Sequence, residues 1–204
     1  MRANQQTGFS LISIVLSIIL ISFALMTLTV LLFPRTQDSA QLIHSTKATE
    51  LGAAVMDEII GRKYDENSGP NGGIPECNSQ SGKMCSLAKT KVINGIPQCD
   101  DSLGKSCLGP DPDEIINGVP DRTLFNDVDD FDGLSGSIQS VLGDDLAQIY
   151  PNFSISIRVF YDANVNNKLD GVPDAIAGNS KRIVVNIIDP SGQHYVFSVI
   201  RGNF

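Results

Sequence analysis

The feature that most constrains this 204-residue chain is an uncharged apolar run from Phe9 to Phe33. As an α-helix that rises ~1.5 Å per residue, the run reaches roughly 37 Å, which is enough to cross a hydrocarbon core ~30 Å thick. A secretory signal peptide has a shorter apolar region, followed by a small-residue cleavage site, and no such site follows Phe33. The sequence therefore predicts a transmembrane helix over residues 9–33.

A short polar leader, residues 1–8, precedes this helix. It ends in Gln6-Thr7-Gly8, and the apolar run starts at once with Phe9. This order resembles the class III signal of type IV prepilins and pseudopilins. The resemblance implies that a membrane peptidase removes the leader between Gly8 and Phe9 and methylates the new amino terminus. A plain single-pass anchor without processing is the alternative.

The remaining length suits one modest globular domain, because domains cluster near ~100 to 150 residues. The net charge of −8 would repel a phosphate backbone over most of the surface. Nucleic acid is therefore disfavoured as a partner. The two histidines, His44 and His194, stand in no recognisable catalytic motif, and the sequence has no nucleophile-elbow, phosphate-loop or zinc-protease signature. We expect a protein that is not an enzyme.

Four cysteines beyond the apolar run occupy a duplicated frame. Gly-Ile-Pro-Glu-Cys and Gly-Ile-Pro-Gln-Cys are each followed by a second cysteine after seven residues, and the two copies are offset by 22 residues. An even, clustered set is typical of an oxidising compartment. Because each copy has its own pair, we predict the disulfides Cys77–Cys85 and Cys99–Cys107. Zinc is the alternative, although structural zinc sites usually separate paired cysteines by about two to four residues.

Residue patterns divide the rest of the chain into a helix, a loop region and a sheet. Apolar residues recur every three to five positions from Ala40 to Ile59, which predicts an amphipathic stalk helix over residues 34–62, kinked at Pro34. Residues 63–124 are rich in Gly, Pro, Asn and Ser and predict a Cys-containing loop region. Residues 125–204 form the predicted C-terminal globular part.

Within that part, helical spacing predicts a short helix over Leu134–Tyr150. Period-two alternation predicts strands over Phe153–Val159, Ile183–Ile188 and His194–Arg201, which together form an antiparallel meander. The predicted fold class is α+β, with a long N-terminal transmembrane and amphipathic helix packed on a C-terminal antiparallel β-sheet. The pilin resemblance implies the same architecture.

One loop between predicted strands has candidate calcium ligands. Oxygen-bearing side chains at alternate positions resemble the first nine residues of an EF-hand loop, although Asn167 replaces the usual glycine and Pro173 stands in place of the bidentate glutamate. A solvated turn without any cofactor is the alternative. The candidate ligands are Asp162, Asn164, Asn166 and Asp170. The acidic segment Asn126–Gly133 is interpreted as a second solvated turn.

Several further segments are similar to minor pilins of the mannose-sensitive haemagglutinin (MSHA) pilus, of the MshD type. They are Ala48–Gly52, Met56–Gly61, Phe125–Phe131 and Arg201–Phe204. The resemblance implies a structural subunit that helps to initiate or cap a type IV pilus and supports surface attachment. It also implies an inner-membrane location with a periplasmic C-terminal domain, followed by transfer to the pilus on a Gram-negative cell. The implied partners are other major and minor pilins, the prepilin peptidase and the inner-membrane assembly platform.

One position departs from the pilin pattern. Pilins typically have glutamate at the fifth residue after the cut, where this chain has Ser13. In the family that carboxylate is thought to neutralise the buried amine of a neighbouring subunit, so its loss favours a place at or near the fibre tip. The alternative is that Ser10 or Ser17 serves the same purpose in the shaft. A minor pseudopilin of a type II secretion system and a membrane-anchored calcium- or carbohydrate-binding module are the alternative functions.

Overall fold

The computed structural model describes residues 11–69, 74–89, 91–93, 96–98, 107–138, 144–162 and 171–204. The chain forms two compact units, Met1–His44 and Ser45–Phe204. One α-helix, α1, extends from Leu11 to Ile60 and contributes to both units. The helix continues past Pro34 and ends at Ile60, two residues before the predicted end at residue 62.

The first unit is dominated by the apolar part of α1. Leu11–Leu32 has a mean hydropathy of 2.7, and none of it is buried inside the protein, so it is long and apolar enough to cross a membrane. Its hydroxyl groups donate hydrogen bonds to backbone carbonyls three or four residues earlier, which satisfies them within the helix. These hydroxyls belong to Ser17, Ser22, Thr27 and Thr29.

The second unit contains a four-stranded antiparallel sheet. In sheet order, its strands are β5 (Ser135–Ser137), β6 (Ser154–Tyr161), β7 (Ser180–Ile188) and β8 (His194–Gly202). Strand β6 pairs with β7 along its whole length, and β7 pairs with β8, so the predicted three-stranded meander is confirmed. The strand ends differ from the prediction by up to three residues.

The core of this unit lies between the sheet and residues 45–60 of α1. Burial alternates along β7, as the period-two pattern requires. The helix approaches β8 closely at Gly52, because a methyl group there would lie 2.6 Å from Cδ2 of Phe197. The predicted apolar stripe of the helix is confirmed over its buried members, which are Ala48, Leu51, Val55 and Ile59.

The predicted helix over Leu134–Tyr150 is wrong in its first part. Ser135–Ser137 forms the edge strand β5, which pairs with Ser154–Ser156. A helix, α2, covers Asp144–Ile149, and residues 139–143 lie outside the described residues. Gly136 has a φ of +146°, which an α-helix cannot contain. The apolar spacing that indicated a helix therefore spans two different elements.

The predicted loop region, residues 63–124, contains two short hairpins. Strands β1 (Lys91–Ile93) and β2 (Ile96–Gln98) pair, as do β3 (Ile115–Ile116) and β4 (Val119–Pro120). The turn between β3 and β4 has positive φ at Asn117 and at Gly118. Asn-Gly is the preferred sequence for such a tight turn, because both residues tolerate left-handed backbone conformations.

Candidate functional site

The residues predicted to direct processing and assembly lie at the start of the chain. Gly8 and Phe9 lie outside the described residues. Ser13 is on α1 and exposed. The hydroxyl of Ser17 donates to the carbonyl of Ile14 at 2.8 Å, so it is engaged within its own helix. The described start of α1 therefore presents an apolar surface with neutral polar groups and no carboxylate.

The cysteine frame holds a loop against the end of the sheet. Cys77 and Cys85 form a disulfide with their Cα atoms 4.9 Å apart, which is the local pairing that the duplicated frame predicts. Cys107 is also disulfide-bonded, while Cys99 lies outside the described residues. The buried side-chain amide of Asn203 donates to the Cys77 carbonyl at 2.9 Å. The loop is thereby fastened to the chain just beyond β8.

The predicted calcium loop is described at one of its four ligand positions. Asp162 is buried, and its Oδ2 accepts hydrogen bonds from the Arg182 guanidinium and from the Gly171 amide at 3.1 Å. Its Oδ1 is buried and has no partner in the part of the chain that the structure describes. Arg182 therefore shares the carboxylate that a calcium ion would need. The other candidates, Asn164, Asn166 and Asp170, lie outside the described residues, and calcium binding stays a prediction.

The interpretation of Asn126–Gly133 as a solvated turn is wrong. Its aspartates at positions 127, 129 and 130 are only 1–2% exposed. Phe125, Val128 and Phe131, three positions apart, lie in the core and carry the intervening residues inward. Two of the acidic side chains bind the local backbone. Asp130 Oδ2 accepts hydrogen bonds from two consecutive amides at 2.8 Å, and Asp127 Oδ1 accepts one from the Asp129 amide at 2.7 Å.

A buried lysine faces this segment. Lys181 lies near the start of β7 and is fully buried. Its Nζ donates to Asp65 Oδ2 at 3.0 Å and to the Tyr64 carbonyl at 2.7 Å, and it also contacts Asp129 Oδ1. The Nζ lies 4.5 Å from the ring centre of Tyr64 and 5.4 Å from that of Tyr161. We call these residues, together with Asp127, the Lys181 cluster.

The carboxyl groups of this cluster differ in protonation. Burial alone would raise the pKa of Asp65, but the Lys181 charge and hydrogen bonds from Lys181, Ser86 and Asn67 outweigh it and lower that pKa. Burial raises the pKa of Asp129 well above its ordinary value and that of Asp127 to about 6, although Lys181 opposes both shifts. Asp127 Oδ1 accepts hydrogen bonds from the backbone amides of Asp129 at 2.7 Å and of Asp130 at 3.3 Å. The Lys181 charge therefore favours the ionised form of Asp65, whereas burial favours the protonated form of Asp129.

Sequence reasoning missed Lys181, although the sequence contains a signal for it. Lys181 lies two residues before Ile183, on the same face of β7 as the inward-facing Ile183, Val185 and Ile187. Period-two alternation carried one step further would have placed a basic side chain in the core. Such a group is buried only when it is paired. That requirement would have pointed to the acidic segment as its partner.

A cavity of about 210 Å³ shares Tyr161 with the Lys181 cluster. Charged groups at its wall include Lys89, paired with Asp132 at 2.5 Å, and Arg158, whose guanidinium carbon is 5.5 Å from the ring centre of Phe160. Groups of both signs beside an aromatic ring suit a small polar molecule. This cavity is a candidate ligand site for the binding-module alternative.

The described globular unit therefore has three polar features: the stapled loop, the Lys181 cluster and the charged cavity. Potential metal-ligand atoms of Asp65, Cys77 and Cys85 lie within 4.8 Å of one another in the described residues, but the disulfide removes the thiolates that would bind a metal. Comparisons with known protein families, with characterised proteins and with solved structures find no match to this chain.

Proposed function

We propose that this protein is a minor pilin of an MSHA-type type IV pilus, a structural subunit that helps to initiate or cap the fibre. The main support for the proposal is that the two parts of α1 have different surroundings. Its first part is uncharged, apolar and uncovered over Leu11–Leu32, and its last part forms the core of an α+β unit with an antiparallel sheet.

The uncovered apolar surface requires an apolar environment at every stage. An exposed apolar face of this size is unstable in water, and it is satisfied by lipid or by other apolar helices. The inner membrane supplies that environment before assembly, and the helices of neighbouring pilins supply it within the fibre. The assembly platform transfers the subunit from the inner membrane to the fibre.

The disulfide supports placement of the globular unit in the periplasm. Cys77–Cys85 needs an oxidising compartment, and small domains that leave the cytoplasm commonly have such bonds. With the globular unit outside, the leader faces the cytoplasm. The prepilin peptidase then cuts between Gly8 and Phe9.

Ser13 supports a position at or near the fibre tip. A carboxylate at this position of a subunit within the shaft would pair with the amine of the subunit ahead and offset a charge that is costly in hydrocarbon. The first subunit has none ahead. Serine at position 13, exposed on α1, presents no charge that needs such a partner.

The experiment is deletion of the gene followed by complementation with the wild type, Gly8→Leu and Asn4→Ala. Gly8→Leu should block leader removal and fail to restore piliation, whereas Asn4→Ala, elsewhere in the leader, should behave as the wild type. Normal piliation by uncleaved Gly8→Leu would contradict the proposal. Loss of protein secretion with unchanged pili in the deletion strain would assign the chain to a type II secretion system instead.

Tip placement is tested separately by immunogold labelling of sheared native pili. Label at one end of the fibre is expected. Label distributed along the shaft would refute the tip position and leave the pilin assignment standing.

A further inference from the structure

We propose that Lys181 and Asp129 are joined by an intramolecular amide bond, formed by condensation of the Lys181 amine with the Asp129 carboxyl inside the folded globular unit. The inference rests on the Lys181 cluster alone and does not depend on the proposed function. It assigns a covalent modification to two residues that come from different parts of the chain.

The reacting groups are in contact and shielded from water. Lys181 Nζ contacts Asp129 Oδ1, and both residues are at most 2% exposed. Lys181 is the only basic side chain that is buried among the described residues. By contrast, Lys89 and Asp132 form an ion pair whose side chains are 25% and 12% exposed. Of these two lysine pairs, the Lys181 pair is the one shielded from water.

Amide formation needs a neutral amine and a protonated carboxyl, and the cluster has a separate group for each requirement. Asp65 Oδ2 lies 3.0 Å from Nζ and is placed to accept its proton. Asp127 Oδ1 accepts a hydrogen bond from the backbone amide of Asp129 at 2.7 Å, so the Asp127 carboxyl neighbours the Asp129 side chain. Burial holds the pKa of Asp129 well above its ordinary value, which keeps the carboxyl protonated.

The step balances without any co-reactant. Asp65 takes one proton from the Lys181 ammonium, and the Nζ lone pair attacks Cγ of Asp129 to form a C–N bond. The tetrahedral adduct passes the second amine proton, through Asp127, to the Asp129 hydroxyl. The C–O bond then breaks, and water leaves. Asp65 keeps the proton that it accepted, so the total charge is unchanged and nothing is oxidised or reduced.

The environment favours the product. Burial lowers the pKa of Lys181, but Asp129, Asp65 and Asp127 outweigh burial and raise it, so the amine depends on Asp65 for deprotonation. Condensation replaces an ammonium and a carboxylic acid by a neutral amide, which a site enclosed by Tyr64 and Tyr161 accommodates more readily than a buried charge. The bond ties the turn at Asp129–Phe131 to β7.

The test is mass spectrometry of the full chain, purified from its native envelope in detergent, reduced and alkylated. The wild type should lack the mass of one water. Trypsin should fail to cleave after Lys181 and should release a branched peptide in which residues 123–158 are joined to residues 169–182. Fragmentation should place the link between Asp129 and Lys181. Unmodified peptides from folded protein, or a link to Asp65, would overturn the proposal.

Variants separate chemistry from packing. Lys181→Arg keeps the cation but cannot form the amide, so the mass loss should disappear. Asp129→Asn should reach the same final mass as the wild type, because condensation then releases ammonia. Lys89→Arg alters the more exposed lysine pair and should retain the full mass loss. If Lys181→Arg does not fold, the wild-type peptide map and Asp129→Asn decide the question.

Discussion

Replacing Gly52 with alanine tests how closely α1 packs on the sheet. A methyl group at this position would lie 2.6 Å from Cδ2 and 2.7 Å from Cζ of Phe197, well inside van der Waals contact. The ring must shift or the helix must move away. Overpacking of this kind costs about 2 kcal/mol. Alanine in place of glycine within a helix gains about 1 kcal/mol. We therefore expect Gly52→Ala to lower the free energy of unfolding by about 1 kcal/mol.

The next residue of the helix supplies the matched control. Ala53 is exposed, so Ala53→Gly changes helix propensity without a packing change and should cost about 1 kcal/mol. Phe197→Leu should relieve the clash. The double variant should therefore lose less free energy of unfolding than the two single variants lose in total, by about 0.5 to 3 kcal/mol.

Unfolding is followed on the full chain in detergent, by near-UV circular dichroism against urea. The sequence has no tryptophan, and the buried Tyr64 and Tyr161 report on the packing of the globular unit. Stabilisation by Gly52→Ala, equal and opposite to the effect of Ala53→Gly, would show that the helix does not contact Phe197 and would refute the packing described here.

Three further outcomes follow from the globular unit. Burial raises the pKa of Asp130 from 3.8 to about 8, so the folded state holds a proton that the unfolded chain releases. The melting temperature should therefore fall as the pH rises between those values, and Asp130→Asn should make it less dependent on pH. An unchanged pH dependence in Asp130→Asn would show that Asp130 is not its cause. Asn203→Ala should cost about 1 to 3 kcal/mol in urea unfolding, because the buried Cys77 carbonyl loses its donor; a loss within error would mean that water replaces the amide. Calcium should raise the melting temperature of the wild type but not of Asp170→Asn, and equal behaviour of the two would reject the predicted ligand set.

The parts of the fold that follow a local period could be predicted from the sequence. Alternation placed β6, β7 and β8, and the spacing of Ala48, Leu51, Val55 and Ile59 placed the buried stripe of α1. Local rules failed where a long-range partner decides the structure. Strand β5 is Ser-Gly-Ser and has no apolar alternation, because its pairing with β6 alone makes it a strand.

The Lys181 cluster was hidden for the same reason. From the sequence alone, the charges of Asn126–Gly133 indicate a solvated segment. The cation that balances part of that charge is Lys181, which is 52 positions beyond Asp129. The residues that follow α1, the acidic segment and strand β7 meet only in the tertiary structure. The cysteine pair, by contrast, repeats within one short frame, so duplication alone indicated its partner.

The amino-terminal peptide of this protein, recovered from pili sheared from native cells and identified by mass spectrometry, reports both processing and pilus membership. A processed pilus subunit should give a peptide that begins with N-methylated Phe9. A peptide that retains Met1 or begins elsewhere, or absence of the protein from sheared pili while it remains in the membrane, would contradict its assignment as a pilin.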